Sequence, residues 1–180
     1  MSIESASRAL ILALTLASLG ARADTPAPAA KAPSAAAAED TAAIAAARQA
    51  AEAAGIKVTD LKVGKGHPAL AGAYVRVDYT GWLKDMTKPD GKGMKFDSSV
   101  DRGDPFLFTL GQRKVIQGWD LGVAGMQPGG KRLLEIPPEA GYGANGTPGG
   151  PIPPNATLVF EVRLYDFLPP LSHAVPGSAK

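Results

Sequence analysis

Cysteine is absent from this 180-residue chain. That excludes disulfides, thiolate nucleophiles and zinc–thiolate sites. Histidine is scarce: His67 and His173 lie far apart with no ligand cluster around either, so no metal site and no other cofactor is expected. No run of Lys and Arg is dense enough for a nucleic-acid surface, and the formal charge is only +2. A long apolar run is missing too. The best one, Ala9 to Gly20, is interrupted by Thr15 and Ser18. It falls well short of the ~20 residues that a membrane-crossing helix needs, so no stable membrane span is expected.

That short apolar run has a different reading. Arg8 and the amino terminus precede it, and Ala21-Arg22-Ala23 follows with the small-x-small pattern of a cleavage site. Residues 1–23 are therefore read as a secretory signal peptide cut before Asp24. The competing readings, a membrane anchor or a buried helix, are disfavoured by length, and no lipid-accepting Cys follows. The expectation is a soluble protein in the periplasm or secreted. Residues 24–55 form an Ala/Pro-rich linker. Its first part, with Pro26, Pro28 and Pro33, predicts an extended tether. Its second part is dominated by alanine, the strongest helix former. It predicts a helix near 40–54, with Asp40 or Thr41 as cap and Gly55 as stop. Ile44 is its only large apolar residue, so the helix is expected to be solvated and partly frayed. The alternative is a spacer or dimerising arm.

From residue 56 to 168 the pattern changes. Val75, Val77 and Tyr79 alternate with Arg76 and Asp78, and Leu158, Phe160, Val162 and Leu164 alternate with Glu161 and Arg163. Period two predicts half-buried strands. Shorter strands are predicted near 58–63, 94–97, 106–110 and 131–136. One short helix is predicted near 114–124, where Ile116, Trp119 and Val123 recur at helical spacing. Gly118 and Gly122 weaken it in isolation, so tertiary packing must hold it. Many strands and one helix predict an α+β fold, with an antiparallel sheet covering the helix on one face. Residues 169–180 read as an irregular tail.

Chemistry-bearing residues concentrate in Asp78-Tyr79-Thr80-Gly81, Lys95-Phe96-Asp97-Ser98-Ser99, Val115-Ile116-Gln117-Gly118-Trp119-Asp120, Gly141-Tyr142-Gly143 and Ala156-Thr157-Leu158-Val159-Phe160. Taken singly, Tyr79, Phe96, Trp119 and Phe160 are better explained as core, whereas Tyr142, between two glycines, is better read as a loop tyrosine facing a cleft. One pattern here is a decoy. Gly141 to Gly146 fits G-x-G-x-x-G, but a nucleotide fingerprint requires a helix directly after the turn, and Thr147-Pro148-Gly149-Gly150-Pro151 forbids one. Jointly and in this order, from Val58 to Asp166, the segments resemble the FKBP-type peptidyl-prolyl cis/trans isomerases. The resemblance implies a twisted antiparallel sheet wrapped around one short helix, with a proline pocket between them. It implies Trp119 as pocket floor, and Tyr79, Phe96, Phe106, Val115, Ile116 and Phe160 as walls. Tyr142 and the backbone N–H of Ile116 become donors to substrate. Asp97, held by Arg102, becomes a group that shapes the environment without carrying a proton. Trp119 and Tyr142 are expected to be replaceable with the fold largely intact. Ile152 resembles a residue touching the bound proline, and Phe108 and Tyr165 remain packing.

Two stretches depart from the shortest members of that family. Residues 84–95 are longer and are expected to form a surface loop, and the segment after Gly146 is richer in glycine and proline. The implied activity is rotation about Xaa-Pro bonds, assisting the folding of exported proteins. Implied partners are proline-containing peptides, unfolded proteins and macrolides of the tacrolimus and rapamycin type. The alternative is a proline-recognising chaperone or binding module with little catalysis, and a third reading is a partner-binding protein dimerised by its alanine-rich arm.

Overall fold

The computed structural model describes residues 34–170. The predicted signal peptide, the first part of the tether and all but two residues of the predicted tail lie outside them. The described chain begins with α1 (Ala35–Ala53), followed by β1 (Lys57–Lys62), β2 (Tyr74–Lys84), β3 (Lys92–Ser98), the single-turn α2 (Ser99–Arg102), β4 (Phe106–Thr109), α3 (Gln117–Gly122), β5 (Lys131–Ile136) and β6 (Leu158–Leu168).

One antiparallel sheet carries the domain, in the order β1-β5-β6-β2-β3. β2 is its axis. One edge of β2 pairs with β6 from Tyr74↔Leu168 to Leu83↔Leu158. The other edge is shared: its first half pairs with β4 (Val77↔Phe106) and its second half with β3 (Thr80↔Ser98). The alternation read from sequence is what builds the core. Val75, Val77 and Tyr79 from β2, Leu134 and Ile136 from β5, and Leu158, Phe160, Val162 and Leu164 from β6 all point to one face. There they meet Trp119 and Val123 of the α3 region. The result is the α+β arrangement expected of this sequence.

Three differences from the sequence reading are instructive. First, the alanine-rich helix starts five residues earlier than predicted, capped by Ser34, whose side chain accepts from the Ala37 N–H at 3.3 Å. Asp40 and Thr41 lie inside it. It is not a solvated, frayed rod. Ala51 is fully buried, and Ala47 and Ile44 lie directly over Gly125, behind α3. Arg48 bonds Asp60, and Asp40 lies 2.9 Å from His67 Nδ1. Small side chains let this helix approach closely, so it docks without a stripe of large residues.

Second, only residues 85–91 of the stretch 84–95 form the expected surface loop, and the rest belongs to two paired strands. β2 runs on to Lys84, a tight turn closes at Gly91 (φ 67°), and β3 resumes at Lys92. Both faces of this hairpin are partly wet, so the strand expected near 94–97 gave no sign of its full length. Its pairing is steadied by Lys92, whose ammonium lies 4.4 Å from the centre of the Trp82 ring and 2.9 Å from Glu161. Third, α3 is half the predicted length. Residues 111–115 before it are turn and bend, with Arg113 at φ 55°, and Ile116 alone is extended at φ −58° and ψ 148°. No helix among the described residues is long and apolar enough to cross a membrane.

Candidate active site

β2, β3, β4, β6 and the entry to α3 converge on a cleft of about 210 Å³. Its floor is Trp119, only 4 % exposed and ringed by aromatics. Ring centres of Tyr79, Phe160 and Phe106 stand 4.8, 5.3 and 5.8 Å away, all near-perpendicular to the indole. Edge-to-face packing of this kind fixes each ring as well as burying it. Phe96 stands edge-on to Phe160 at 5.5 Å and completes one wall. Phe108, read as packing, also contacts Trp119, at 5.6 Å. The Trp119 indole nitrogen is buried and has no hydrogen-bond partner among the described residues. The apolar character of the floor comes from the surrounding ring carbons, not from this unsatisfied donor.

The bend that leads into α3 puts Val115 and Ile116 on the opposite wall. The Ile116 carbonyl accepts from the N–H groups of Trp119 (2.9 Å) and Asp120 (3.3 Å), whereas its own N–H finds no acceptor among the described residues. That leaves a fixed backbone donor at the cleft. The preceding loop is braced by the buried Asp120, which accepts from the N–H groups of Gly111 and Arg113, each at 2.9 Å.

Polar groups are confined to the rim. The Tyr79 hydroxyl donates to Asp97, and Arg102 donates both to Asp97 and, at 3.0 Å, to the Tyr79 oxygen. The Ser98 N–H adds a bond to Asp97 at 2.8 Å. The single turn of α2 makes this closure possible, bringing Arg102 back over Asp97. Burial pushes the Asp97 carboxyl up, but the bonds from Tyr79 and Arg102 outweigh it and hold the group below the usual carboxylate range. Across the cleft, Tyr142 is 40 % exposed and its hydroxyl has no partner among the described residues. Burial of its phenol, and then the Asp97 charge, raise its pKa above that of a free tyrosine.

Tyr142 stands on a loop held by its own backbone. Gly146 takes φ 59° and ψ −146°, a region open essentially to glycine alone, and a Cβ there would sit 2.3 Å from the Ile152 carbonyl oxygen. The Thr147 N–H donates to that same carbonyl at 2.9 Å, and the Ile152 N–H returns a bond to the Thr147 hydroxyl at 3.1 Å.

Nine of the ten residues singled out in the sequence thus line one cleft: Tyr79, Phe96, Asp97, Phe106, Val115, Ile116, Trp119, Tyr142 and Phe160. Ile152 does not. It is 5 % exposed and packs into the core beneath the loop, because the turn at Gly146 folds it inward. One lining residue was missed. Lys114 shares the wall with Val115, and its place directly before Val115 and Ile116 in sequence was the available signal.

Residues 65–165 match the family described as FKBP-type peptidyl-prolyl cis-trans isomerase. The chain belongs to that family. It is accordingly a peptidyl-prolyl cis-trans isomerase. It is 53 % identical over 110 residues to an FK506-binding protein of Neisseria meningitidis serogroup B, an alignment covering 61 % of this chain and 94 % of that one. FK506-binding protein 1 of Dictyostelium discoideum is 50 % identical over 113 residues, covering 63 % and 98 %. A longer relative, the 46 kDa FK506-binding nuclear protein of Spodoptera frugiperda, is 51 % identical over 110 residues but is covered over only 25 % of its length. The FKBP-type match therefore takes in the whole cleft, from Tyr79 to Phe160, and leaves α1 outside it.

Proposed function

We propose that the cleft seats a prolyl ring on Trp119 and catalyses rotation of the preceding peptide bond by desolvation, with no proton transfer. Uncatalysed rotation faces ~18–20 kcal/mol, the loss of amide resonance, and takes tens to hundreds of seconds. The planar amide is more polarised than the twisted one. A dry aromatic cup therefore destabilises the planar ground state relative to the transition state. Tyr142 donates to one substrate carbonyl and the Ile116 N–H to another, so that one side of the bond is held while the other turns. Asp97, held by Tyr79 and Arg102, contributes a fixed negative field at the rim. The observation that carries this reading is the pairing of an apolar floor with two unpartnered donors, Tyr142 and the Ile116 N–H.

A mechanism without proton transfer has a pH signature. Asp97 is held below, and Tyr79 and Tyr142 above, their ordinary values. With ordinary values near 3.9 and 10, none of the three titrates between about pH 5 and 9. We expect kcat/KM to be flat across that range. A bell-shaped profile within it would show a proton carrier at work and overturn the desolvation reading.

The protein in this proposal is exported, to the periplasm or beyond, where it assists the folding of proline-containing chains. Support comes from the Ala9 to Gly20 run and the Ala21-Arg22-Ala23 pattern. Sequencing the amino terminus of the exported product checks the start at Asp24. Macrolides of the tacrolimus and rapamycin type, which carry a proline mimic, would occupy the same cleft; the relatives are named for binding FK506. The test is the isomerisation rate of a short Xaa-Pro peptide with purified residues 24–180, with and without tacrolimus. Acceleration abolished by the drug is the expected result. A folded sample that binds the drug but does not accelerate isomerisation would favour a proline-recognising module instead.

A further inference from the structure

We propose that Lys114 is a specificity residue, whose ammonium selects substrates carrying an acidic side chain immediately after the proline. The inference rests on the isomerase reading above and assigns a substrate class to the same cleft. Lys114 lines the pocket beside Val115 and Ile116. Among the described residues its ammonium has neither an ion-pair nor a hydrogen-bond partner. The other charges at the cleft are satisfied: Asp97 is paired with Arg102. Arg113, the neighbouring cation, turns to a separate cleft with Gln117 and Leu121. Lys114 is therefore the one uncompensated charge lining the described pocket.

The position of the acidic residue follows from which carbonyl the Ile116 N–H can hold. A prolyl residue over Trp119 presents two carbonyls. The one before the ring swings during rotation, and the proline's own stays with the ring. A rigid backbone donor suits the one that stays. The residue after proline then leaves the cleft past Ile116, along the wall that Lys114 extends. Two residues of chain span at most roughly 7 Å, a distance that a lysine side chain covers when it folds back along the chain. An anionic side chain at that position finds the ammonium, and a cationic one meets repulsion.

The test compares three peptides that differ only after the proline, bearing Glu, Gln or Lys, with catalysis read by NMR exchange. Wild type is expected to prefer Glu over Gln by about fivefold, the upper range for a solvent-exposed ion pair, and to place Lys last. The preference should lie in KM, because the pair forms in ground and transition states alike. It should collapse in 1 M salt, where the screening length is about 3 Å. Lys114→Ala should flatten the series, and Lys114→Glu should invert it. Ratios within one protein are insensitive to any general damage by the substitution. Equal rates for the three peptides on wild type, or an unchanged order in Lys114→Glu, would overturn the assignment. The Gln peptide separates the two readings: no acceleration of it defeats the isomerase reading, whereas acceleration without charge order defeats only the role of Lys114.

Discussion

Trp119→Ala is expected to lower kcat/KM by at least about a hundredfold, equivalent to about 2.7 kcal/mol of barrier, and to cost about 3–5 kcal/mol of stability. The first loss follows from the floor itself: without the indole, the prolyl ring rests over a void that admits water, and desolvation fails. The second follows from burial. Trp119 is 4 % exposed and touches Tyr79, Phe106, Phe108 and Phe160. The sequence alone suggested a lining residue that could be replaced with the fold largely intact, and the four surrounding rings add a stability cost to that expectation. Domains of this size hold about 5–15 kcal/mol, so the variant should remain mostly folded at 25 °C. Trp119→Phe should behave differently. It surrenders ring area but also removes an indole N–H left buried without an acceptor, a group whose desolvation costs about 1–3 kcal/mol. The two effects oppose each other, so a small shift in urea midpoint and partial activity are expected. Activities should be scaled by the folded fraction from circular dichroism in the same buffer. An alanine variant as active as wild type after that correction would remove Trp119 from the floor.

The strands that carry the cleft were legible because each buries one face. Val75, Val77 and Tyr79, and Leu158 to Leu164, show the period of two directly, and the resemblance carried by the aromatic segments located nine of the ten chosen residues in one place. What was not legible depended on partners distant in the chain. The docking of α1 rests on Ala47 over Gly125 and on Arg48 with Asp60. Alanine and charged residues give no amphipathic signal, so the helix looked unpartnered. The β2–β3 hairpin was legible only in part: a strand near 94–97 was expected, but the run of β2 to Lys84 and of β3 back to Lys92 comes from cross-strand bonds and from Lys92 over Trp82. Tyr79 was read as a wall, yet its hydroxyl also ties Asp97 to Arg102, a role that needs the turn of α2 to become visible. Ile152 lies outside the cleft lining, beyond a positive φ at Gly146, and a sequence rich in glycine does not say which glycine turns the chain.

The second large effect concerns a residue that faces away from the cleft. Gly118 precedes Trp119 on α3, and a Cβ there would lie 2.4, 2.6 and 2.8 Å from three side-chain atoms of Ile136. Ile136 is fully buried in β5 and cannot move aside. Gly122, four residues on and so on the same helix face, meets Leu134 in the same way, at 2.7 and 2.8 Å. These glycines, costly to an isolated helix, are what lets α3 lie against the sheet. Gly118→Val must push α3 off β5. Overpacking typically costs about 1–3 kcal/mol, and a branched side chain against an immovable neighbour should sit at or above the top of that range. Because Trp119 is rigidly linked to the same turn, the floor shifts with the helix. A misplacement of about 1 Å is enough to reduce a rate about a hundredfold, so activity should fall further than stability. The cause can be isolated with Ile136→Ala. That change alone should cost about 2–5 kcal/mol, but in the Gly118→Val background it opens room for the new side chain. The pair should therefore be less destabilised than the sum by at least about 1 kcal/mol, within the range seen for residues in contact, and activity should partly return. Additive losses in urea denaturation, with no recovery of rate, would show that the close approach of α3 to β5 is not what sets the floor.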